Sequence, residues 1–249
     1  MARFWPLAAA ALLLAGGCVP ESSSTAEAAR ADAAAGELGS RPGKISVAGT
    51  KGLVPLKGAL LYVPDAYDAA KPMPLVVMLH GAGGSARHSL DLARAYADRH
   101  GFILLAPGSQ RSSWDIISSR SYGPDVTAID AVLKQVFEAY AVDAKRLAIS
   151  GFSDGASYAL SLGLGNGELF TDVIAFAPGF MAPGRIKGDP AIFISHGVDD
   201  QVLPIDRCSR RIVPQLRRSG YKVDYREFPG GHTVPSDLAE AAFSGFVSG

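Results

Sequence analysis

Residues 146–155 read RLAISGFSDG and carry the strongest indication of the fold. Arg146 to Ser150 is a short apolar run typical of a buried strand, and Asp154 to Leu164 has the composition of a helix. Between them, Gly151 to Gly155 match G-x-S-x-G, a pattern that holds a serine hydroxyl out of a tight turn between strand and helix. The sequence therefore predicts Ser153 as a nucleophile, with the N–H groups at the start of the helix directed at it.

Short apolar runs and longer amphipathic segments alternate on both sides of this turn. Strands are predicted over 57–63, 75–80, 102–106, 173–177, 191–195 and 223–228, and helices over 85–100, 125–140, 206–219 and 236–246. This alternation indicates an α/β fold, a mostly parallel sheet with helices on both faces. Ligands of such sheets bind at the carboxyl ends of the strands, so we expect functional residues just after each strand.

A glycine-rich loop follows the predicted strand at 75–80. It reads Gly81-Ala82-Gly83-Gly84, and glycines let the backbone come close to a reacting group. We expect the backbone N–H groups of Ala82 and Asp154 to form an oxyanion hole, which stabilises the negative charge of a tetrahedral intermediate. A phosphate-binding loop is disfavoured because no lysine follows at the required spacing.

The next-to-last and last predicted strands are followed by an acid and a base. HGVDDQVLP spans residues 196–204, and in it Asp200 is the predicted acid, with its neighbour Asp199 as the alternative. PGGHTVP spans residues 229–235 and contains His232, the predicted base. The order Ser, Asp, His is the one expected for this fold. It predicts two-step acyl transfer through an acyl-enzyme, with no cofactor and no metal.

Four pieces of the chain together resemble the α/β-hydrolase superfamily, namely PLVVMLHGAGG, GFSDGA, HGVDDQVLP and GGHTVP. From Lys57 to Phe246 the chain looks most like secreted esterases grouped with polyhydroxybutyrate depolymerases and feruloyl esterases, and like the phospholipase/carboxylesterase family. The resemblance implies a serine carboxylic ester hydrolase with a Ser-His-Asp triad. Depolymerases of this group commonly carry a cysteine-containing segment where this chain has residues 82–84, which argues against that subtype.

Substrate selection is expected from two loops, Gly108 to Gly123 and Phe180 to Gly188. Trp114 and Tyr122 in the first loop are the candidate pocket residues, although Trp114 would serve equally well as a loop anchor. Since no long insertion provides a lid, we expect small to medium soluble esters. Two alternatives stay open: a serine peptidase or amidase on the same fold, and a non-catalytic, surface-anchored binding protein.

The amino terminus is typical of an exported protein. Residues 1–17 are predicted to be a lipoprotein-type signal peptide, Cys18 the lipidated residue, 18–42 a flexible tether and 43–249 the catalytic domain. The alternative is an ordinary secretory signal. With Cys18 lipidated, Cys208 has no partner, so a disulfide framework is not expected.

The charge balance restricts the partners. Lys plus Arg and Asp plus Glu are 24 each, so the net charge is zero and no nucleic acid is expected as a partner. The exception is a run of five arginines between residues 207 and 218, interpreted as the solvated face of a helix. We expect a small-molecule ester substrate and contact with a membrane only through a lipid on Cys18.

Overall fold

The computed structural model describes residues 30–45 and 49–249. The predicted signal peptide and Cys18 lie outside the described residues. No helix in the described part of the chain is both long and apolar enough to cross a membrane.

One eight-stranded sheet forms the centre of the protein, in the order β1-β2-β4-β3-β5-β6-β7-β8. The strands are β1 (Gly52–Leu56), β2 (Ala59–Val63), β3 (Met73–Leu79), β4 (Ile103–Pro107), β5 (Val142–Phe152), β6 (Asp172–Phe176), β7 (Ala191–Gly197) and β8 (Val223–Phe228). β1 and β2 are antiparallel, β2 is antiparallel to β4, and all the other pairs are parallel. The mostly parallel sheet is confirmed.

Helices cover both faces of this sheet. They are α1 (Ala86–His100), α2 (Asp115–Ser118), α3 (Pro124–Ala139), α4 (Asp154–Gly165), α5 (Ser209–Arg218) and α6 (Ser236–Ser248). One buried cluster packs α1 and α6 against one face, and a second packs α3, α4 and α5 against the other. The central strands are buried on both sides, which explains their continuous apolar sequence.

The structure differs from the expectation at the first sheet edge. The run predicted as one strand over 57–63 begins with a turn at Lys57 and Gly58, and a further strand, β1, precedes it. Gly58 has φ 82°, a value that suits glycine, and Leu56 pairs with Ala59 across this two-residue turn. β1 was not predicted; it contains Pro55, which an edge strand tolerates.

Residues 30–42 fall in the predicted tether, but in the structure they pack on the domain. Leu38 is buried, and its N–H donates to Asn166 Oδ1 at 2.8 Å. The Ser40 N–H donates to Asp130 Oδ1 at 2.8 Å, and Lys187 pairs with Glu37 at 2.9 Å. The packed surface of the domain therefore begins before residue 43.

Candidate active site

The turn between β5 and α4 holds Ser153 in a strained conformation. Its φ of 58° and ψ of −121° are unfavourable for a residue with a side chain. A Cβ on Gly151 would lie 2.2 Å from the Gly155 carbonyl oxygen, and one on Gly155 would lie 2.2 Å from the Leu79 oxygen. Only glycine fits at either position, so the close packing of β3, β5 and α4 explains the G-x-S-x-G pattern.

Two hydrogen bonds link the three residues predicted as a triad. His232 Nε2 lies 2.8 Å from Ser153 Oγ, and His232 Nδ1 lies 2.6 Å from Asp200 Oδ2. Because an ionised carboxylate only accepts, Nδ1 carries the ring proton and Nε2 is free to accept from the serine hydroxyl. Asp200 and Ser153 are buried, whereas the His232 side chain is 15% exposed. The neighbour Asp199 is exposed and makes no contact of this kind.

The loop after β7 keeps Asp200 ionised. Its Oδ1 accepts the N–H groups of Val202 and Leu203, at 2.9 and 2.8 Å. Burial by itself would raise the pKa of Asp200, but hydrogen bonds from Leu203, His232 and Val202 outweigh it and hold the pKa below its ordinary value. A charged Asp200 can orient the His232 ring and stabilise its protonated form.

His196 lies against Asp200 and supports the loop after β7. Its ring is completely buried, and Nε2 donates to the Leu203 carbonyl oxygen at 2.8 Å. Nδ1 accepts from the Ser209 hydroxyl at 2.7 Å, and Nε2 also lies 3.2 Å from Asp200 Oδ2. Burial lowers the pKa of His196, so the ring is neutral at pH 7. His196 thus fastens the loop that carries Asp200.

The glycine loop after β3 reaches Ser153. A Cβ on Gly81 would lie 3.3 Å from Ser153 Cβ, and the Gly83 N–H donates to the Ser112 carbonyl oxygen at 2.7 Å. Within residues 30–45 and 49–249, the hydrogen bonds leave the N–H groups of Ala82 and Asp154 without an acceptor. The N–H of Asp154 also opens α4, whose dipole favours negative charge at that end.

Residues of the Gly108 to Gly123 segment wrap around this glycine loop. The Ser109 N–H donates to His80 Nε2 at 3.0 Å, and Trp114 Nε1 donates to the His80 carbonyl oxygen at 2.8 Å. The Ser113 hydroxyl donates to Asp154 Oδ2 at 2.6 Å. Trp114 has no exposed surface and stacks on Tyr158 with ring centroids 5.1 Å apart. In this structure Trp114 is therefore a loop anchor and offers no surface to a substrate, which corrects its candidacy as a pocket residue.

Two buried carboxylates fix the same segment. Asp115 Oδ2 accepts the Asp125 N–H at 3.0 Å, and Asp125 Oδ2 accepts the Asp115 N–H at 2.7 Å. Burial raises the pKa of Asp125, while the Gln110 N–H bonds its other oxygen at 2.6 Å. These reciprocal bonds hold the loop ends together and so position the residues that contact the glycine loop.

The Phe180 to Gly188 segment and the residue before it are tied to α4. Ser157 Oγ donates to the Ser153 carbonyl oxygen at 3.2 Å and accepts the Gly179 N–H at 2.9 Å. The Tyr122 hydroxyl donates to the Ala182 carbonyl oxygen at 2.8 Å, so this partly buried tyrosine joins the two predicted loops. Its role as a pocket residue stays a prediction.

Phe152 is a site residue that the sequence analysis missed. Its ring lies against the His232 ring, with centroids 4.7 Å apart. The available signal was its position directly before the nucleophile, which places it at the same turn. Among the described residues, no group of three or more His, Cys, Asp or Glu side chains is arranged to hold a metal ion.

The sheet order, the turn that carries Ser153 and the chain order of the three linked residues together define an α/β-hydrolase fold. A model of the family described as Esterase PHB depolymerase matches residues 57–204, more than half of the chain. The chain therefore belongs to that family.

The chain is also similar to curated relatives and, in its fold, to solved structures. A probable feruloyl esterase C of Aspergillus oryzae is 31% identical over 156 residues, 59% of this chain and 56% of the relative. The chain thus spans little more than half the length of such relatives. Esterase PE8 superposes with TM-score 0.62 at 22% identity, covering 79% of this chain and 99% of PE8. A CE1 ferulic acid esterase of Anaeromyces mucronatus gives TM-score 0.55 at 21% identity, covering 76% and 83%. At these identities the structures support the fold alone.

Proposed function

We propose that this chain is a serine carboxylic ester hydrolase that acts on small to medium esters through Ser153, His232 and Asp200. The observation that carries the proposal is the unbroken line of two hydrogen bonds, 2.6 and 2.8 Å, from Asp200 through His232 to Ser153. The names of the relatives, feruloyl esterase among them, favour esters as the substrate class.

Acylation follows from the positions of the protons. Ser153 Oγ attacks the ester carbonyl carbon while its proton moves to His232 Nε2, and the ionised Asp200 stabilises the resulting imidazolium. The carbonyl oxygen becomes negative and accepts hydrogen bonds from the N–H groups of Ala82 and Asp154, one such donor contributing about 3 kcal/mol. The tetrahedral intermediate then collapses, the carbon–oxygen bond to the alcohol breaks, and His232 returns the proton to the departing oxygen.

Deacylation repeats these steps with water. His232 Nε2 takes a proton from water as the water oxygen attacks the acyl-enzyme carbonyl, and the same proton returns to Ser153 Oγ when the acid leaves. Each proton removed from a nucleophile is given back to a leaving group. The cycle balances without a cofactor.

Hydrolysis of p-nitrophenyl esters of increasing acyl length tests the proposal. We expect activity on the short esters, and Ser153→Ala should lower kcat by roughly four to six orders of magnitude, as in other serine triads. Ser112→Ala is the matched control, because it removes an exposed serine hydroxyl from the segment beside the glycine loop and leaves the attacking oxygen in place. If Ser153→Ala kept its activity, Ser153 would not be the nucleophile.

The two alternatives give different results in parallel assays. A serine peptidase or amidase would cleave p-nitroanilides of the same acyl groups as well as the esters, whereas an ester hydrolase would cleave only the esters. A surface-anchored binding protein would react with neither and would also leave a fluorophosphonate probe unbound. We favour the ester hydrolase over a binding protein because the proton path to Ser153 is complete, and over an amidase because the named relatives are esterases.

We further propose that the protein is exported and anchored through a lipid on Cys18. The support is the apolar run before Cys18 and the small residues at 15–17. Mass spectrometry of the protein from membranes of its natural host would show a diacylglycerol on Cys18 at the mature amino terminus. A mature chain beginning elsewhere, without lipid, would contradict the anchor.

A further inference from the structure

The peptide unit between Gly81 and Ala82 carries one of the two N–H groups of the proposed oxyanion hole. This peptide is trans, and in a trans peptide the C=O and N–H bonds point in opposite directions. A contact that holds the Gly81 carbonyl oxygen therefore also fixes the direction of the Ala82 N–H. A Cβ on Gly81 would lie 3.3 Å from Ser153 Cβ, so this peptide lies directly beside the nucleophile.

Two hydrogen bonds hold the Gly81 carbonyl oxygen. His80 Nδ1 donates to it at 2.8 Å, and the Gly84 N–H donates to it at 3.0 Å. The second bond closes a turn, and the φ of 66° at Gly83 suits the third residue of a type II turn. A Cβ on Gly84 would lie 2.9 Å from the Gly81 oxygen and 3.0 Å from His80 Cβ, so a larger residue would push this contact apart.

The partners of the His80 ring define its tautomer. A carbonyl oxygen only accepts, so Nδ1 carries the proton; the Ser109 N–H only donates, so Nε2 is unprotonated and accepts it at 3.0 Å. His80 is 3% exposed and its ring lies against Trp114, with ring centroids 4.7 Å apart. Trp114 Nε1 also donates to the His80 carbonyl oxygen at 2.8 Å. Both the ring and the backbone of His80 are therefore held in place.

Resting on the proposed ester hydrolysis, we propose that His80 is a positioning residue of the oxyanion hole. Its Nδ1–H holds the Gly81 carbonyl group, and the same peptide then presents the Ala82 N–H to the negative oxygen of the tetrahedral intermediate. A donor that is fixed in advance stabilises this charge better than one that must first reorient. Neutral imidazole suits the role because one rigid ring offers a donor to Gly81 and an acceptor to Ser109.

Two substitutions separate the bond to Gly81 from the bond to Ser109. The amide nitrogen of asparagine can take the place of Nδ1, so His80→Asn can still donate to the Gly81 oxygen but leaves the Ser109 N–H without its acceptor. The longer glutamine can bring its amide oxygen to the place of Nε2, so His80→Gln keeps the Ser109 bond and releases the Gly81 carbonyl group. Both variants remove the ring that lies against Trp114, so both should lower the unfolding free energy.

The two variants should differ in kcat for p-nitrophenyl acetate. We expect His80→Gln to lower kcat by roughly 100-fold with little change in KM, because losing one oxyanion donor costs about 100- to 1,000-fold and acts on the transition state. His80→Asn should keep roughly ten times more activity than His80→Gln, since it retains the bond that fixes the donor. His88→Gln is the matched control, because it makes the same change at an exposed histidine of α1 and should keep wild-type kinetics. Urea unfolding of the same preparations gives the folded fraction by which each rate is divided.

The thionoester of the same acid gives a readout that a purely structural role would not change. Sulfur replaces the carbonyl oxygen and is a weak acceptor, so it gains little from the N–H groups of the oxyanion hole. The wild type should therefore prefer the oxygen ester. His80→Gln should reduce this preference, whereas His80→Asn should retain it.

Equal losses of kcat in the two His80 variants, or a larger loss in His80→Asn, would overturn the positioning role while leaving the ester hydrolase intact. An unchanged ester-to-thionoester ratio in His80→Gln would do the same. If neither variant folds, Gly84→Ala provides the test, because its Cβ would displace the Gly81 oxygen while the His80 ring stays. A wild-type ratio in Gly84→Ala would then overturn the role. Loss of every ester activity in the wild type would instead overturn the proposed function.

Discussion

Replacing His196 by phenylalanine should destabilise the domain and weaken the site together. The phenyl ring keeps the approximate shape of the imidazole but cannot donate to the Leu203 oxygen or accept from the Ser209 hydroxyl. Ser209 is completely buried, so its hydroxyl has no access to water as a substitute partner. A buried polar group left without a partner costs about 1–3 kcal/mol, and two of them give a loss of about 2–6 kcal/mol.

The activity should fall because the same ring steadies the acid. His196 Nε2 lies 3.2 Å from Asp200 Oδ2 and fixes the backbone at Leu203, whose N–H donates to the same carboxylate. A displacement of catalytic groups on the order of 1 Å lowers rates by about 100-fold, which sets the expected scale for kcat/KM. His196→Gln should lose less in both measurements, because its amide nitrogen can still donate to the Leu203 oxygen.

Urea unfolding and ester kinetics on the same preparations provide the assay. His88→Phe is the matched control, since His88 is exposed on α1 and its replacement should change the unfolding free energy little. The reasoning fails if His196→Phe unfolds at the wild-type urea concentration, or if it loses stability while kcat/KM in the folded fraction stays at the wild-type value.

Three further predictions follow from single contacts. Burial lowers the pKa of both His80 and His196, so the unfolded chain binds protons on these rings more readily than the folded protein does. The free energy of unfolding, measured by urea titration, should therefore be at its full value at neutral pH and fall as the pH drops below the ordinary histidine pKa of 6.5. An unfolding free energy that does not change with pH would contradict this prediction. Gly155→Ala should abolish soluble expression because its Cβ would lie 2.2 Å from the Leu79 oxygen, whereas Gly245→Ala, with open space at its Cβ, should express normally. Leu38→Ala should lower the unfolding free energy by about 2–5 kcal/mol, as for a buried core leucine; an effect below about 0.5 kcal/mol would mean that residues 30–42 are a free tether after all.

Much of the fold and the main site residues could be predicted from local sequence. Strands buried on both faces need continuous apolar runs, and helices between them need one apolar stripe, so the alternation indicated a mostly parallel sheet. The tight turn at Ser153 demands glycines at fixed positions, and this demand is visible in the sequence as G-x-S-x-G. The chain order of Ser153, Asp200 and His232 then followed from the strand ends.

Contacts between distant segments could not be predicted in this way. The burial of Trp114 depends on Tyr158 and the His80 carbonyl group, which lie 44 and 34 positions away in the chain. The packing of Leu38 depends on Asn166, 128 positions away. Residue type and spacing do not predict which remote residue such a side chain will contact. An aromatic or apolar side chain can be buried in a core or can line a binding surface, and the sequence pattern is the same in both cases.

The amino-acid pattern alone predicted the α/β class of fold, Ser153 as the nucleophile and the order Ser153, Asp200, His232, because each of these predictions depends on backbone geometry that only a few residue types allow. The residues that hold Asp200 in place and the loop that supports the glycine turn became visible only in the folded chain, through the contacts of His196 and of the Gly108 to Gly123 segment. The physical reason is that a short pattern specifies local backbone geometry, whereas burial and hydrogen-bond partners arise only when remote parts of the chain pack together.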